Sequence, residues 1–447
     1  MRQAVADLVD NSVSAEASLV QVKVHFEGAT SWICIADNGR GMHEDELIEA
    51  FRYGSERDYE QAELGRFGFG LKTASTSQCR KVTVVSRRDV PGAPLLAYQL
   101  DVDHITKVNR WEIFPLSSHE IPEFAVSVLG EGSGTVVLWE DLDRVLEYQD
   151  PFGRWAEQQL LKVTDDIAEH LALVFHRFLA GEVKGKNLRI TVNERNILPF
   201  DPFCRAESNT TFLEEENLEV HSPEGNGIVR IRPYILPSQD GFSSHNAWKG
   251  AAGPEGWNRQ QGFYIYRADR VIQSGGWCRL RAVDEHTKLA RVSVEFFREL
   301  DSAFGLNVAK ASVTLPVELR TELKSRVSQW ASLADAAYRK KGRPSPRVAV
   351  PSARGASSIA PSAKKPAPID PPAVPLRDGS RISVVQTQVA VSSAPAAPTP
   401  APTPTHTQSL RSALEQAADQ IGEGRALVRI MESLRSTSPE VAHELGW

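Results

Sequence analysis

Cysteine is scarce. Cys34, Cys79, Cys204 and Cys278 are the only four in 447 residues, and no C-x-x-C spacing occurs among them. That excludes a disulfide framework and a cysteine-rich zinc cluster, and it fits buried or free thiols in a reducing cytoplasm. Long apolar runs are missing too: nothing approaches the roughly 18 consecutive apolar residues of a membrane-spanning helix. The N-terminus reads as a charged helix instead of a signal sequence, so neither export nor membrane spanning is supported and a cytoplasmic protein is expected. Positive charge is in deficit, with 51 Lys and Arg against 57 Asp and Glu and a formal net charge of -6. This argues against a wholly basic nucleic-acid coat while leaving a local patch open. Apolar residues, by contrast, make up 41% of the chain, enough over this length for sizeable cores. Two folded units and a tail are expected.

Three segments near the N-terminus carry chemistry. In the first, Ala4-Val5-Ala6-Asp7-Leu8-Val9-Asp10-Asn11-Ser12, a helix puts Val5, Leu8, Val9 and Val13 on one stripe and leaves Asp7 and Asn11 one turn apart on the other face. A hard cation such as Mg2+ keeps several waters and leans on substrate phosphates, so one Asn oxygen suffices as its protein anchor. Asp7 then stands where a base orients or deprotonates water. By itself such a pair is more often a solvated polar face. The second segment, Asp37-Asn38-Gly39-Arg40-Gly41-Met42, follows the apolar run Trp32-Ile33-Cys34-Ile35-Ala36, which reads as a buried strand ending at Asp37. Gly39 and Gly41 mark a turn where backbone approaches a ligand without a Cβ in the way. Asp37 can accept a hydrogen bond from an exocyclic amine of a base; an ordinary Asn-Gly turn is the plain alternative.

The third segment, Gly65-Arg66-Phe67-Gly68-Phe69-Gly70-Leu71-Lys72, runs into a helix start, so its backbone amides and the helix's positive end form an anion cradle. It is not a Walker A loop, because Leu71 intervenes before the lysine, and it lacks the third glycine of a Rossmann fingerprint.

With these motifs in this order, the chain resembles the GHKL ATPase superfamily of DNA gyrase B, heat-shock chaperones, histidine kinases and MutL, and within it the MORC and MutL branch. The resemblance implies an α+β architecture: a Bergerat-type ATP-binding sandwich over residues 1-180, then an S5-like transducer domain over 186-340. It also implies that Asn11 holds Mg2+, Asp37 binds adenine, Gly39, Gly41 and Met42 line the base pocket, and Gly65, Gly68, Gly70, Leu71 and Lys72 wrap the phosphates. Arg52 to Leu64 would be the ATP lid. The family's later Gly-Thr motif is matched by Gly134-Thr135, whose threonine helps hold the adenine-binding aspartate.

Two departures stand out. The family's base is normally a glutamate; Asp7 is one methylene shorter, which implies slow hydrolysis. Met1 lies six residues before Asp7, so either the start is truncated or the chain lacks the arm with which relatives lock a dimer. The resemblance implies an ATP-dependent homodimer and, by analogy alone, DNA as a partner. No histidine-bearing helix precedes the first motif, and no topoisomerase module or MutL-type metal motif follows. The alternative is a sensor that binds ATP, hardly hydrolyses it and recruits a protein through its C-terminal helices; a chaperone ranks third.

Further along, the first block is expected to end with the helix containing Ile167, Leu171 and Phe178. The next has strand-like runs at Leu188 to Val192, Ile228 to Ile231, Phe263 to Tyr266 and Val292 to Phe296. Pro237 to Gly256 reads as a long polar loop whose His245, Trp248 and Lys249 either touch a partner or are incidental. A lysine of the second domain reaches the terminal phosphate in the superfamily; Lys310 matches its place before a closing helix from Val317, with Lys288 or an ordinary surface lysine as the alternatives. Residues 343-408 are expected to form a disordered Pro/Ala/Ser/Thr linker. Its basic start, Arg339, Lys340, Lys341, Arg343 and Arg347, either meets phosphates or is a solvated helix end. Residues 409-447 are expected to carry two short amphipathic helices split by Gly422 and Gly424, suited to docking on a partner.

Overall fold

The apolar stripe of the first segment does what its spacing dictates. Helix α1 (Arg2–Ser14) buries Val5, Leu8, Val9 and Val13, while Asp7 is half-buried and Asn11 exposed. The computed structural model describes residues 1–52, 70–142, 150–222, 225–306 and 313–340, all within one compact unit, Met1–Pro351. Gly65, Gly68, Lys310, most of the expected lid and the segments 343–408 and 409–447 lie outside the described residues.

The stripe packs on an eight-stranded sheet in the order β5-β4-β3-β6-β2-β1-β7-β8. Its strands are β1 (Leu19–His25), β2 (Trp32–Asp37), β3 (Lys81–Arg87), β4 (Leu96–Asp101), β5 (Phe114–Pro115), β6 (Gly134–Glu140), β7 (Arg189–Val192) and β8 (Arg195–Asn196). Pairing is antiparallel except for β1 with β7. The helices of this part are α2 (Glu44–Ala50), α3 (Gly70–Thr76), α4 (Val102–Val108), α5 (Glu123–Leu129), α6 (Arg154–Val174) and α7 (His176–Leu179). Ile33 and Ile35 of β2 face the core with α1 and α6. Cys34 and Ala36 face a second cluster closed by Ala125 and Leu129 of α5. Both faces of the central strands are covered, which is why they read as continuous apolar runs instead of alternating ones.

One strand falls on the other side of the expected division. The run Leu188 to Val192, expected in the second block, forms β7 and pairs with β1 through Leu19↔Arg189 and Val22↔Val192. Extended, β-favouring residues just after a helix satisfy either assignment, and the free edge of β1 takes them.

The second sheet runs β10-β11-β14-β12-β13, with β9 on β11. Its strands are β9 (Thr211–Phe212), β10 (Glu216–Ser222), β11 (Gly225–Ile235), β12 (Gly262–Arg267), β13 (Arg270–Ser274) and β14 (Ala290–Phe296). The segment from Pro237 to Gly256, expected as a polar loop, contains helix α8 (His245–Ala251), capped by Ser244 Oγ accepting from the Ala247 N–H. It is anchored because Trp248 stacks at 3.9 Å on Trp257 of α9 (Trp257–Gln260) and Phe242 is buried. Helix α10 (Val317–Arg339) closes the sheet with Leu319, Leu323, Val327 and Trp330. No helix among the described residues is long and apolar enough to cross a membrane.

Candidate functional site

Strand register builds one end of the site. Asp37 ends β2 opposite Thr135 of β6, and Thr135 lies opposite Ser86 of β3, so three polar residues form a row at one edge of an otherwise apolar sheet centre. The Asp37 carboxylate accepts from the Gly39 N–H at 2.9 Å and from Ser12 Oγ of α1 at 2.9 Å. Burial pushes its pKa above the ordinary carboxylate value, outweighing these hydrogen bonds and one from Thr135, which act the other way. A carboxylate held among donors in a low-dielectric edge is poised to accept one more hydrogen bond from a ligand.

Ser86 completes the row. Its hydroxyl donates to the Gly134 carbonyl at 3.0 Å, accepts from the Met42 N–H at 2.9 Å, and shares a 3.0 Å bond with the Thr135 hydroxyl. That uses its one hydrogen and two lone pairs, and it ties Met42 to the Gly-Thr motif. Gly134 has φ +139°, and a Cβ there would sit 1.9 Å from the Asp37 carbonyl oxygen; at Gly41, with φ +62°, it would sit 1.9 Å from the Arg87 carbonyl. Only glycine permits either approach. Asn38 fixes the turn by accepting from the Ser18 and Leu19 N–H groups at 2.9 and 2.8 Å.

Helix α1 links this end to the other. Asn11, on the same face as Asp7, is exposed, and no cluster of three His, Cys, Asp or Glu suited to a metal occurs among the described residues. A single amide oxygen matches a Mg2+ ion carried by phosphates and water and does not match an all-protein metal cage. Gly70 opens α3, which packs on α1. Leu71 lies against the first core, and Lys72 is buried, burial lowering its pKa against the opposing pull of Glu49.

Midway along α1 the side chains meet the second sheet. Arg270 of β13 donates from Nε to Asp10 Oδ1 at 2.8 Å, and its terminal nitrogen lies 3.4 Å from Asp7 Oδ1. Gln3 also donates to Asp7, at 3.2 Å. Sequence reasoning missed Ser12, Ser86, Asp10 and Arg270; Asp10 and Ser12, on either side of Asn11 in the first segment, stood close enough to have been flagged.

The structure thus brings Asp37, Gly39, Gly41, Met42 and Thr135 together at the sheet edge, and puts Asp7 and Asn11 on one helix face beside α3. No curated protein matches the chain. Residues 1–135 match the family model described as histidine kinase-, DNA gyrase B-, and HSP90-like ATPase, so the region that carries the site is similar to the GHKL-type ATPases and supports ATP binding.

Proposed function

We propose that the chain binds Mg-ATP at the edge of the first sheet, hydrolyses it slowly, and uses the bound nucleotide to close a homodimer, with DNA as the target suggested by analogy to MORC and MutL. The observation that carries this reading is the Asp37 carboxylate, held by Ser12 and Gly39 in a row with Thr135 and Ser86. In this reading Asp37 accepts the adenine amine, Asn11 supplies the protein oxygen to the metal, and Lys72 with the glycine segment lies along the phosphates. The metal would screen phosphate charge. Asp7 takes the proton of the attacking water as its oxygen bonds to the γ-phosphorus and the bond to the β,γ-bridging oxygen breaks. A carboxylate one carbon shorter than glutamate aims less well, and errors of about 1 Å cost on the order of a hundredfold in rate.

A second reading is favoured by the Arg270 contact. A carboxylate already engaged by a guanidinium suits a nucleotide sensor that does not turn over. Steady-state ATP turnover with and without DNA, alongside calorimetric ATP binding, separates the two. The enzyme reading expects slow turnover lowered further by Asp7→Asn with affinity kept within a few-fold; binding with equal turnover in wild type and Asp7→Asn supports the sensor. Sedimentation with a non-hydrolysable analogue and with ADP tests the dimer: equal mass in both would reject it.

A further inference from the structure

The hairpin β12–β13 turns through Ala268 and Asp269, with φ of 47° and 65°, between paired Arg267 and Arg270. Two consecutive left-handed residues in a two-residue turn are ordinary for Asn-Gly and disfavoured for Ala, so the surroundings must hold the tip in place. They do so on every side. Arg267 pairs with buried Asp301 at 2.8 and 3.0 Å, Asp269 accepts from Arg177 of α7 at 2.8 Å, and Tyr266 shares a 2.8 Å hydrogen bond with His176.

Arg270 follows directly. It is 1% exposed and Asp10 is fully buried; burying a carboxylate on the core side of a helix is unfavourable unless a cation meets it. The face of Phe175 lies 6.0 Å from the guanidinium carbon. Nearby His170 on α6 is pushed down to about 3, by burial first and then by repulsion from Arg270, Arg2 and the N-terminal amine. It is therefore neutral and adds no second positive charge. The same guanidinium that neutralises Asp10 touches Asp7, the base, across 263 residues of sequence.

We infer that Arg270 is a positioning residue for Asp7: it fastens the base-bearing turn of α1 to the tip of the second sheet's hairpin, so the second sheet sets how the base carboxylate is aimed. A planar fork that reaches two carboxylates fixes orientation in a way one ammonium cannot. The inference rests on Asp7 acting as the base, and its test keeps the two apart.

Wild type, Arg270→Lys, Asp7→Asn and the double variant are compared in the full chain for kcat, for calorimetric Kd of a non-hydrolysable ATP analogue with Mg2+, and for hydrogen exchange of α1. Arg270→Lys is expected to lower kcat by about ten- to a hundredfold, to leave Kd within about threefold, and to speed exchange in residues 2–14 but not in β3. Added to Asp7→Asn, it should produce no further loss, because both changes act through one carboxylate. Unchanged or raised kcat in Arg270→Lys, unchanged exchange in α1, or fully additive losses in the double variant would overturn the inference while leaving Asp7 as the base. Wild-type turnover in Asp7→Asn would overturn both. Should Arg270→Lys fail to fold, Asp10→Asn, which loosens the same guanidinium without removing it, must show the same kcat-against-Kd split.

Discussion

Helix α1 holds two carboxylate sites that are built in opposite ways. Toward its C-terminal end, Ser12 reaches Asp37, whose remaining partners come from the adjoining turn and from neighbouring strands of the same sheet. A turn earlier, Asp7 and Asp10 meet an arginine contributed by a different sheet. The first site is made of neutral donors around one charge and is complete within residues 12–135. The second balances charge against charge and exists only when the two sheets are docked. On the proposed function, this arrangement would bind the nucleotide with one module and make the rate answer to the other.

The sharpest test of this difference is stability. Arg270→Met leaves Asp10 buried without that cation, and breaking a buried pair from one side costs about 3–5 kcal/mol. The urea midpoint should fall accordingly. Asp37→Asn should not lower it: the amide oxygen can accept from Gly39 while the amide nitrogen donates to Ser12 Oγ, and a charge that burial penalises is removed. Equal destabilisation by the two changes would erase the distinction.

Binding should reverse the ranking. Loss of a charge-assisted acceptor in Asp37→Asn is expected to cost about 1.5–3 kcal/mol of ATP affinity, or roughly one to two decades, measured by calorimetry. Acid should mimic it. Because the folded-state pKa of Asp37 is raised, the folded protein takes up this proton more readily than the unfolded chain. Its contribution to folding is therefore most favourable below the unfolded pKa and is lost as pH rises through the raised value. ATP affinity, which needs the ionised form, moves the other way and falls as pH drops through that value. In Asp37→Asn this part of the affinity profile should be flat; an identical acid limb in both proteins would assign it to another group.

The two sites also differ in how far the sequence disclosed them. Asp37, Gly39, Gly41 and Thr135 stand in short motifs whose glycines are required by close backbone approach, so local chemistry announces them. Of the first sheet's central strands β2 was legible, because coverage on both faces leaves an unbroken apolar run. Ser86 was not, since nothing within β3 distinguishes it from any strand-end serine; its role arises from pairing with residue 135. Arg270 was further out of reach. It lies 260 residues from Asp10, after a turn whose Ala-Asp pair lacks the usual glycine or asparagine signal. Helix α8 was hidden by composition, its order coming from the stacking of its Trp248 on Trp257 of the next helix and not from an apolar stripe. Local motifs are readable; sites assembled by docking are not.

The smallest effect tests whether the first site is a network or a set of separate contacts. Ser86 uses all its hydrogen-bonding capacity on Gly134, Met42 and Thr135, yet it touches neither Asp37 nor any residue of the second sheet through a described hydrogen bond. Ser86→Ala removes a buried hydroxyl and leaves the Met42 N–H and the Thr135 hydroxyl seeking partners, a loss of about 1–3 kcal/mol in stability. Thr135 can rotate to a new acceptor, which keeps the cost toward the lower end. ATP affinity should fall only a few-fold, because the Asp37 carboxylate keeps Ser12 and Gly39. If the row is a network, combining Ser86→Ala with Asp37→Asn should give an affinity loss different from the sum of the two, with a coupling of about 0.5 kcal/mol or more. Strict additivity would mean that Asp37 binds independently of the row beside it, and that the register linking β2, β6 and β3 supplies only shape.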